Sequence, residues 1–201
     1  MGILDLFFPV YCLECKKEGK YLCSNCINKV LDGNFDSKNF AVFKYKGVVR
    51  KAITSIKYKY AYDIVDNLVE ATVTRLKVSK IHNVALVPIP MYEKSENIRG
   101  FNQSILIGER IAKSLGWNFL PDLLIKTKNT KHQVGLKGEQ RKTNLENAFI
   151  VNPKYNENNE IMNNKILLFD DVYTTGTTIK QARKVLENTG FKNVYSLTIA
   201  R

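Results

Sequence analysis

The chain has 201 residues, 44% hydrophobic and 25% charged, which suits one α/β domain with a small accessory module. The net charge of +12 favours an anionic ligand or nucleic acid, although a solvated lysine-rich surface has the same composition. No apolar run approaches the roughly 20 residues that span a bilayer, and the opening MGILDLFFPV is a poor signal peptide. We therefore expect a cytoplasmic protein that does not insert into a membrane.

The first segment, residues 1–36, holds all four cysteines and too few hydrophobic residues to fold around a core of its own. We therefore predict two parts, a four-cysteine module at 1–36 and an α/β domain at 37–201. In the domain, alternation predicts a strand at 39–45, and apolar spacing predicts two helices. The two helices span 47–58 and 62–78. A strand at 83–89 and a helix at 101–115 follow, and Gly116 ends that last helix.

The second half of the chain continues the alternation of strands and helices. The basic, polar composition of residues 126–144 predicts a long loop. Long loops in compact domains are usually functional or disordered. Around it we predict strands at 119–125, 146–151, 165–170 and 194–200, a polar connection at 152–164 and a helix at 178–188. This alternation indicates a mostly parallel sheet covered by helices on both faces.

The segment DDVYTTGTT, residues 170–178, lies between an apolar strand and an amphipathic helix. The start of a helix offers unpaired backbone N–H groups and a positive dipole end, which suit a phosphate. Gly176 lets the backbone approach an anion closely, and the threonine hydroxyls add short donors. The segment also falls where open α/β sheets place ligands, beyond the carboxyl end of a strand.

Asp170 and Asp171 immediately precede this phosphate cradle and would repel a phosphate unless they have another task. Carboxylates accept hydrogen bonds from the vicinal hydroxyls of a sugar, and a pair of them can anchor Mg²⁺. The segment therefore indicates a ribose 5-phosphate ligand. The alternative is a plain strand–turn–helix in which acids and threonines occur by chance.

The cysteines form two C-x-x-C pairs seven residues apart, at Cys12, Cys15, Cys23 and Cys26. Four thiolates suit tetrahedral Zn²⁺, and with every ligand supplied by protein the metal would be structural. Disulfides are disfavoured in a cytosolic chain. Glycine follows neither pair directly, which makes a rubredoxin-like iron site the weaker metal hypothesis. Reactive thiols remain an alternative.

Basic and aromatic residues are interleaved after the module. Tyrosines at 45, 58, 60 and 62 could stack on unpaired bases beside a cationic groove, which is typical of single-strand binding. The alternative is that the tyrosines cover the core while the lysines face water. The cations of this candidate DNA-binding surface are Lys46, Arg50, Lys51, Lys57 and Lys59.

Arg99 and Gly100 follow the VPIP segment at 87–90. The planar guanidinium of Arg99 could pair with a pyrophosphate oxygen, and Gly100 would permit a close backbone approach. An Arg-Gly step is equally often only a turn.

The order of these motifs resembles the ComF family of competence-associated, phosphoribosyltransferase-like proteins, over nearly the whole chain from Cys12. DDVYTTGTT is similar to the type I phosphoribosyltransferase signature, and RGFNQ at 99–103, the 130–145 loop and the C-x-x-C pairs complete the pattern. The resemblance implies a type I phosphoribosyltransferase-like fold with an N-terminal zinc ribbon. It also implies phosphoribosyl pyrophosphate (PRPP) with Mg²⁺ as ligand, structural zinc, and single-stranded DNA and a competence helicase as partners.

Carried over position by position, the resemblance assigns a PRPP site in which the two acids would also be the catalytic residues. Its members are Asp170, Asp171, Val172, Tyr173, Thr174, Thr175, Gly176, Thr177 and Thr178, with Arg99 matching by position alone.

Two functions follow from this interpretation. The first is a PRPP-binding protein that handles single-stranded DNA during natural transformation. The second is an active phosphoribosyltransferase in nucleobase salvage, with catalysis by positioning and by charge stabilisation, including that of Asp171. A PRPP-sensing regulator is the weaker third, since no helix-turn-helix segment is evident. The sequence identifies no set of base-reading residues that would decide between them.

Overall fold

The structure is a computed structural model that describes residues 9–32, 38–59, 61–79, 81–128, 148–155 and 159–201. Most of the loop predicted at 126–144 and the start of the strand predicted at 146–151 lie outside these residues. The chain divides into two compact units. The first unit comprises Met1–Ile81, Asp171–Tyr173 and Thr198–Arg201, and the second comprises His82–Asp170 and Thr174–Leu197. The boundary predicted after residue 36 stays a prediction.

The first unit begins with the cysteine segment, which the structure describes over residues 9–32, and it contains three helices. They are α1 (Ser24–Asn28), α2 (Gly47–Lys59) and α3 (Asp63–Lys77), with strand β1 (Asn39–Phe43) between α1 and α2. Val49, Ile53 and Ile56 of α2 are buried, as their helical spacing predicts. The cysteine segment is tied to these helices, since Lys20 pairs with Glu70 of α3 at 2.7 Å.

Strand β1 is hydrogen-bonded along both of its edges. On one side, Lys44 N donates to Val30 O at 2.7 Å, next to an antiparallel bridge between Leu31 and Phe43. On the other side, Arg201 N donates to Phe43 O and Arg201 O accepts from Tyr45 N, the two-residue stagger of parallel strands. The cysteine segment therefore covers what would otherwise be an open sheet edge.

The second unit carries β2 (Val84–Pro88), β3 (Asn118–Phe119) and the larger part of β6 (Lys165–Val172) and of β7 (Asn193–Ala200), whose last residues belong to the first unit. Strand β2 pairs in parallel with β3 and with β6. The five strands follow the order β1-β7-β6-β2-β3. The helices are α4 (Glu93–Arg99), α5 (Gln103–Leu115), α6 (Asn159–Asn163) and α7 (Thr177–Asn188). The predicted α/β class with a mostly parallel sheet is confirmed.

Helix α5 lies close to the sheet at Gly108. A Cβ on Gly108 would stand 3.0 Å from Leu86 Cδ2 and 3.0 Å from Phe169 Cδ1. The absence of a side chain therefore lets the helix approach β2 and β6. This packing fixes the first turn of α5 beside the carboxyl ends of both strands, where Ile89 N donates to Phe169 O at 2.8 Å.

The single strand predicted at 119–125 is wrong. The chain forms β3, turns at Pro121–Asp122, and then forms β4 (Leu124–Lys126), which pairs antiparallel with β5 (Phe149–Val151) in a separate two-stranded sheet. Asp122 stabilises the turn, because its Oδ1 accepts from Tyr155 OH at 2.8 Å and its Oδ2 pairs with Lys154. These partners are more than 30 residues away, so local alternation could not reveal the break.

Helix α4 and two short elements in the segment 152–164 have no counterpart in the prediction. None of the seven described residues of α4 is buried, so its sequence carries no apolar period. The segment 152–164 contains a 3₁₀ turn at Pro153–Tyr155 and the five-residue α6. Within the described parts of the chain, no helix has the length and hydropathy to cross a membrane.

Candidate functional site

The segment 170–178 is a strand end, a turn and a helix start. Strand β6 extends through Val172, two residues beyond the predicted strand, so both acids are strand residues. Tyr173 N donates to Ala200 O at 2.8 Å, which continues the ladder for one more residue. The turn then occupies residues 174–176, and α7 begins at Thr177, one residue before its predicted start.

The two acids have different partners. Asp170 Oδ1 accepts a hydrogen bond from Ser104 Oγ of α5 at 2.9 Å. Asp171 Oδ2 lies 2.7 Å from Lys57 Nζ of α2, with side chains 4% and 20% exposed. Successive strand residues direct their side chains to opposite faces, which explains why adjacent carboxylates meet separate neighbours. Asp170 is held by a neutral hydroxyl, whereas Asp171 is held by a cation.

The turn offers donors for an anion. Gly176 has φ 70°, a left-handed conformation that glycine adopts without strain, and it directly precedes α7. Gly176 has no side chain that could cap the 12-residue α7, and Thr177 N donates to Thr175 Oγ1 at 3.4 Å. The N–H groups that follow in the first turn are oriented for a ligand. Thr175 Oγ1 and Thr177 Oγ1 are 2.8 Å apart, and Thr174 and Thr175 are exposed. These groups fit a phosphate by their chemistry.

Asn102 positions the first turn of α5 and was missed by the sequence analysis. Its Oδ1 accepts from Ser104 N at 2.9 Å, which caps the helix, and its Nδ2 donates to Ile89 O at 3.1 Å. The side chain is buried, and both of its functional atoms are paired. Ser104, the partner of Asp170, is therefore held between a capped helix and the strand ends. An asparagine just before an apolar helix was the available signal for the cap.

Arg99 ends α4, and Gly100 follows with φ 79° as the C-cap. Arg99 Nη1 donates to Gln103 Oε1 at 2.8 Å and lies 3.9 Å from Met91 Sδ. The guanidinium is thus held along the start of α5 by neutral groups, and its binding to a pyrophosphate stays a prediction.

Lys126 is a second residue that the sequence analysis missed. It ends β4, where its Nζ lies 5.6 Å from the centre of the Phe149 ring. Burial lowers the pKa of Lys126, and the charge of Asp170 partly opposes that shift. Lys126 is therefore a half-buried cation in the electrostatic environment of Asp170. In the sequence, Lys126 could not be distinguished from the other basic residues of the loop predicted to begin there.

The four cysteines converge as predicted. All four Sγ atoms lie within 4.8 Å of one another, and Cys15 Sγ and Cys23 Sγ are 3.6 Å apart. A tetrahedral ion with metal–sulfur bonds near 2.3 Å would place its sulfurs about 3.8 Å apart, so this cluster can hold a metal such as zinc. The turn that follows Cys12 brings its pair together, with Lys16 N donating to Cys12 O at 3.1 Å.

Two of the thiols differ in pKa. Burial alone would raise the pKa of Cys12, but hydrogen bonds from the backbone of Cys15, Cys23 and Glu14 outweigh it and lower the pKa to about 6. Burial, followed by the neighbouring sulfurs, raises the pKa of Cys26 to about 12. A metal that binds Cys26 would therefore displace its proton, because the thiolate is the form that binds a metal.

The five candidate DNA-binding cations do not share one face. Lys51 Nζ lies 2.9 Å from Glu14 Oε2 and donates to Leu13 O, so it ties α2 to the cysteine segment. Lys57 is paired with Asp171. Lys46, Arg50 and Lys59 are exposed. At about 100° per residue, Arg50 and Lys57 lie on one face of α2 and Lys59 lies opposite Arg50.

Known proteins resemble the chain along most of its length. Competence protein F of Haemophilus influenzae is 27% identical over 199 residues, which cover 96% of this chain and 85% of that protein. Competence protein ComFC of Bacillus subtilis is 29% identical over 185 residues, 90% of this chain and 72% of that protein. The chain is a homologue of the ComF competence proteins. No protein-family profile matches it.

Among solved structures, the chain is similar to adenine phosphoribosyltransferase of Trypanosoma brucei, crystallised with AMP, pyrophosphate and ribose-5-phosphate. The TM-score is 0.43 at 16% identity, over 86% of this chain and 64% of that enzyme. A likeness this distant adds nothing to the argument for the fold, which rests on the strand order and the parallel pairing.

Proposed function

We propose that this chain is a DNA-uptake protein of the cytoplasm that binds PRPP with Mg²⁺ at 170–178 and handles single-stranded DNA during natural transformation. The competence proteins it resembles support the role in DNA uptake. The ligand is inferred from the segment 170–178, and the nucleic acid from the exposed cations of α2 beside Tyr58 and Tyr62, 69% and 45% exposed. A competence helicase remains the expected protein partner.

The observation that carries the ligand assignment is the local geometry of 170–178. A left-handed glycine without a side chain precedes α7, and Asp170 stands seven residues before Thr177, where that helix begins. The amides and the threonine hydroxyls would bind the 5-phosphate of the ligand. Asp170, oriented by Ser104, would accept a hydrogen bond from a ribose hydroxyl. Mg²⁺, bound with the diphosphate, would neutralise its charge.

Zinc is the metal we assign to the cysteine cluster. Four thiolates are a complete tetrahedral set for Zn²⁺ and leave no position for a substrate, so its role is structural. The cysteine segment covers one edge of β1 and is bonded to α2 and α3. Its unfolding would expose that sheet edge.

Thermal unfolding with PRPP and Mg²⁺ tests the ligand assignment. We expect the wild-type chain to melt several degrees higher with saturating PRPP and Mg²⁺, since a ligand that binds only the folded state stabilises it. Asp170→Asn should remove that shift. Glu109→Gln, which neutralises an exposed acid of α5, should leave it intact. A normal shift in Asp170→Asn would show that the ligand binds elsewhere.

The second candidate function is catalysis of phosphoribosyl transfer. The placement of Lys126 favours it, because a half-buried amine near Asp170 could stabilise negative charge on a departing pyrophosphate. A screen of nucleobases with PRPP and Mg²⁺, read by pyrophosphate release, separates the candidates. We expect no turnover, and sustained release with any base would establish the enzymatic function instead.

A further inference from the structure

Lys57 belongs to both surfaces that the proposed function uses, and this inference rests on that function. It stands in the last turn of α2, among the cations assigned to nucleic acid. In the structure its ammonium is 2.7 Å from Oδ2 of Asp171, one of the acids assigned to the phosphoribosyl ligand. One ammonium group cannot fully neutralise that carboxylate and a DNA phosphate at the same time.

The pair is shielded from water, because the Asp171 side chain is 4% exposed and that of Lys57 is 20% exposed. Separating a shielded pair is costly when it leaves a carboxylate without a counter-charge. The cost falls if another cation or O–H donor replaces the ammonium. Mg²⁺ and a ribose hydroxyl are both groups that a carboxylate binds, and PRPP with Mg²⁺ supplies both.

A released Lys57 would have a defined neighbour. Arg50 is exposed and lies seven residues earlier on α2, about two turns away on the same face. The two side chains would then form a continuous cationic face along the helix. Lys59 is only two residues from Lys57, but it lies on the opposite side of α2 from Arg50, and it is exposed.

We propose that Lys57 couples the two binding activities: a Mg²⁺–PRPP ligand takes the Asp171 carboxylate, and the released ammonium joins Arg50 in binding single-stranded DNA. Coupling between two sites is reciprocal, so DNA also strengthens PRPP binding. The chain then holds a single strand more tightly when the phosphoribosyl ligand is bound. Asp170, which Ser104 holds, contributes to this coupling only through its share in binding the ligand.

Fluorescence anisotropy with labelled oligo(dT) measures the coupling on the full, metal-loaded chain. PRPP with Mg²⁺ should tighten wild-type binding by about fivefold, the lower end of typical coupling. One recruited lysine should also steepen the slope of log K against log salt by about 0.7. Pyrophosphate with Mg²⁺, which lacks the ribose, serves as the ionic control and should give neither effect.

Two lysine variants separate coupling from charge. Lys57→Met and Lys59→Met each remove one positive charge from α2. We expect Lys59→Met to weaken DNA binding overall while PRPP still tightens it by the wild-type factor. Lys57→Met should bind DNA equally with and without PRPP. If Lys57→Met keeps the wild-type factor, the inference is overturned.

Asp171→Asn provides a second test that does not depend on the stability of Lys57→Met. Because it removes the charge that holds Lys57, it should bind oligo(dT) without PRPP as tightly as the ligand-bound wild type does. Circular dichroism confirms that each variant is folded. Wild-type affinity in unliganded Asp171→Asn would contradict the release of Lys57.

Calorimetry of PRPP with Mg²⁺ against the wild-type chain distinguishes failure of the coupling from failure of the proposed function. If the wild type binds both PRPP and oligo(dT) but with no mutual effect, the coupling is wrong and the proposed function stands. If the wild type fails to bind PRPP or oligo(dT), the proposed function falls, and the coupling falls with it.

Discussion

The cysteine cluster and the segment 170–178 are both recognised in the sequence by a short spacing of chemically similar residues. In the structure, however, the cysteine side chains come together and the side chains of the two acids separate. The four sulfurs meet within 4.8 Å. The two adjacent carboxylates diverge, Asp170 to Ser104 and Asp171 to Lys57. The difference follows from the backbone, because a C-x-x-C turn brings its two side chains together and a strand alternates its side chains between faces.

This comparison shows that a motif describes a site only together with its backbone conformation. We predicted that the strand ends at Asp170 and interpreted the two acids as a pair that binds one sugar. The extension of β6 through Val172 makes them strand residues with different environments. If this is correct, the cysteines should be equivalent under mutation and the acids should not.

The largest effect is expected from loss of one cysteine. Cys26→Ser should abolish the metal site and unfold the first unit, because structural zinc contributes about 10 kcal/mol or more to the folding of small metal modules. Metal content by atomic emission and unfolding by circular dichroism measure both effects. Ser24→Ala, at an exposed neighbouring position, is the control. A Cys26→Ser chain that retains its zinc and its stability would refute convergence of all four sulfurs.

The acids should differ in what they support. Asp171→Asn should lower the free energy of unfolding by about 3 kcal/mol, because it breaks the shielded ion pair with Lys57. Asp170→Asn should cost within about 1 kcal/mol, since the amide oxygen still accepts from Ser104. Urea unfolding at neutral pH measures both. Equal costs would mean that the two carboxylates share one environment.

The smallest effect is expected at Lys126, a cation in the environment of Asp170. Its pKa in the folded chain is below the usual 10.5, so the unfolded chain binds more protons and stability rises as the pH approaches that value from below. Lys126→Met should remove this rise and increase the neutral-pH free energy of unfolding by up to about 1 kcal/mol.

Urea unfolding between pH 7 and 10 measures the effect of Lys126→Met, with exposed Lys113→Met of α5 as the control. An unchanged pH dependence in Lys126→Met would contradict a lowered pKa of Lys126 and therefore its burial.

The misplaced elements of the prediction share a cause. Strand 119–125 was predicted from its residues alone, but Tyr155 and Lys154 hold the turn at Asp122 that interrupts it. Helix α4 has an exposed, polar sequence and therefore lacks the period that identified α2, α3 and α5. Elements with a buried face were predicted to within one or two residues, because burial imposes the period of the element on the sequence.

By itself, the sequence determined the α/β class, the cysteine cluster and the location of the strand–turn–helix at 170–178, because each depends on local spacing or on an apolar period. Only the tertiary structure decided that Ser104 holds Asp170, that Lys57 holds Asp171, and that Asn102 joins α5 to the end of β2. Their partners lie between 13 and 114 residues away in the chain. No local pattern encodes such pairings, since they arise only when the packing of helices on strands brings the side chains together.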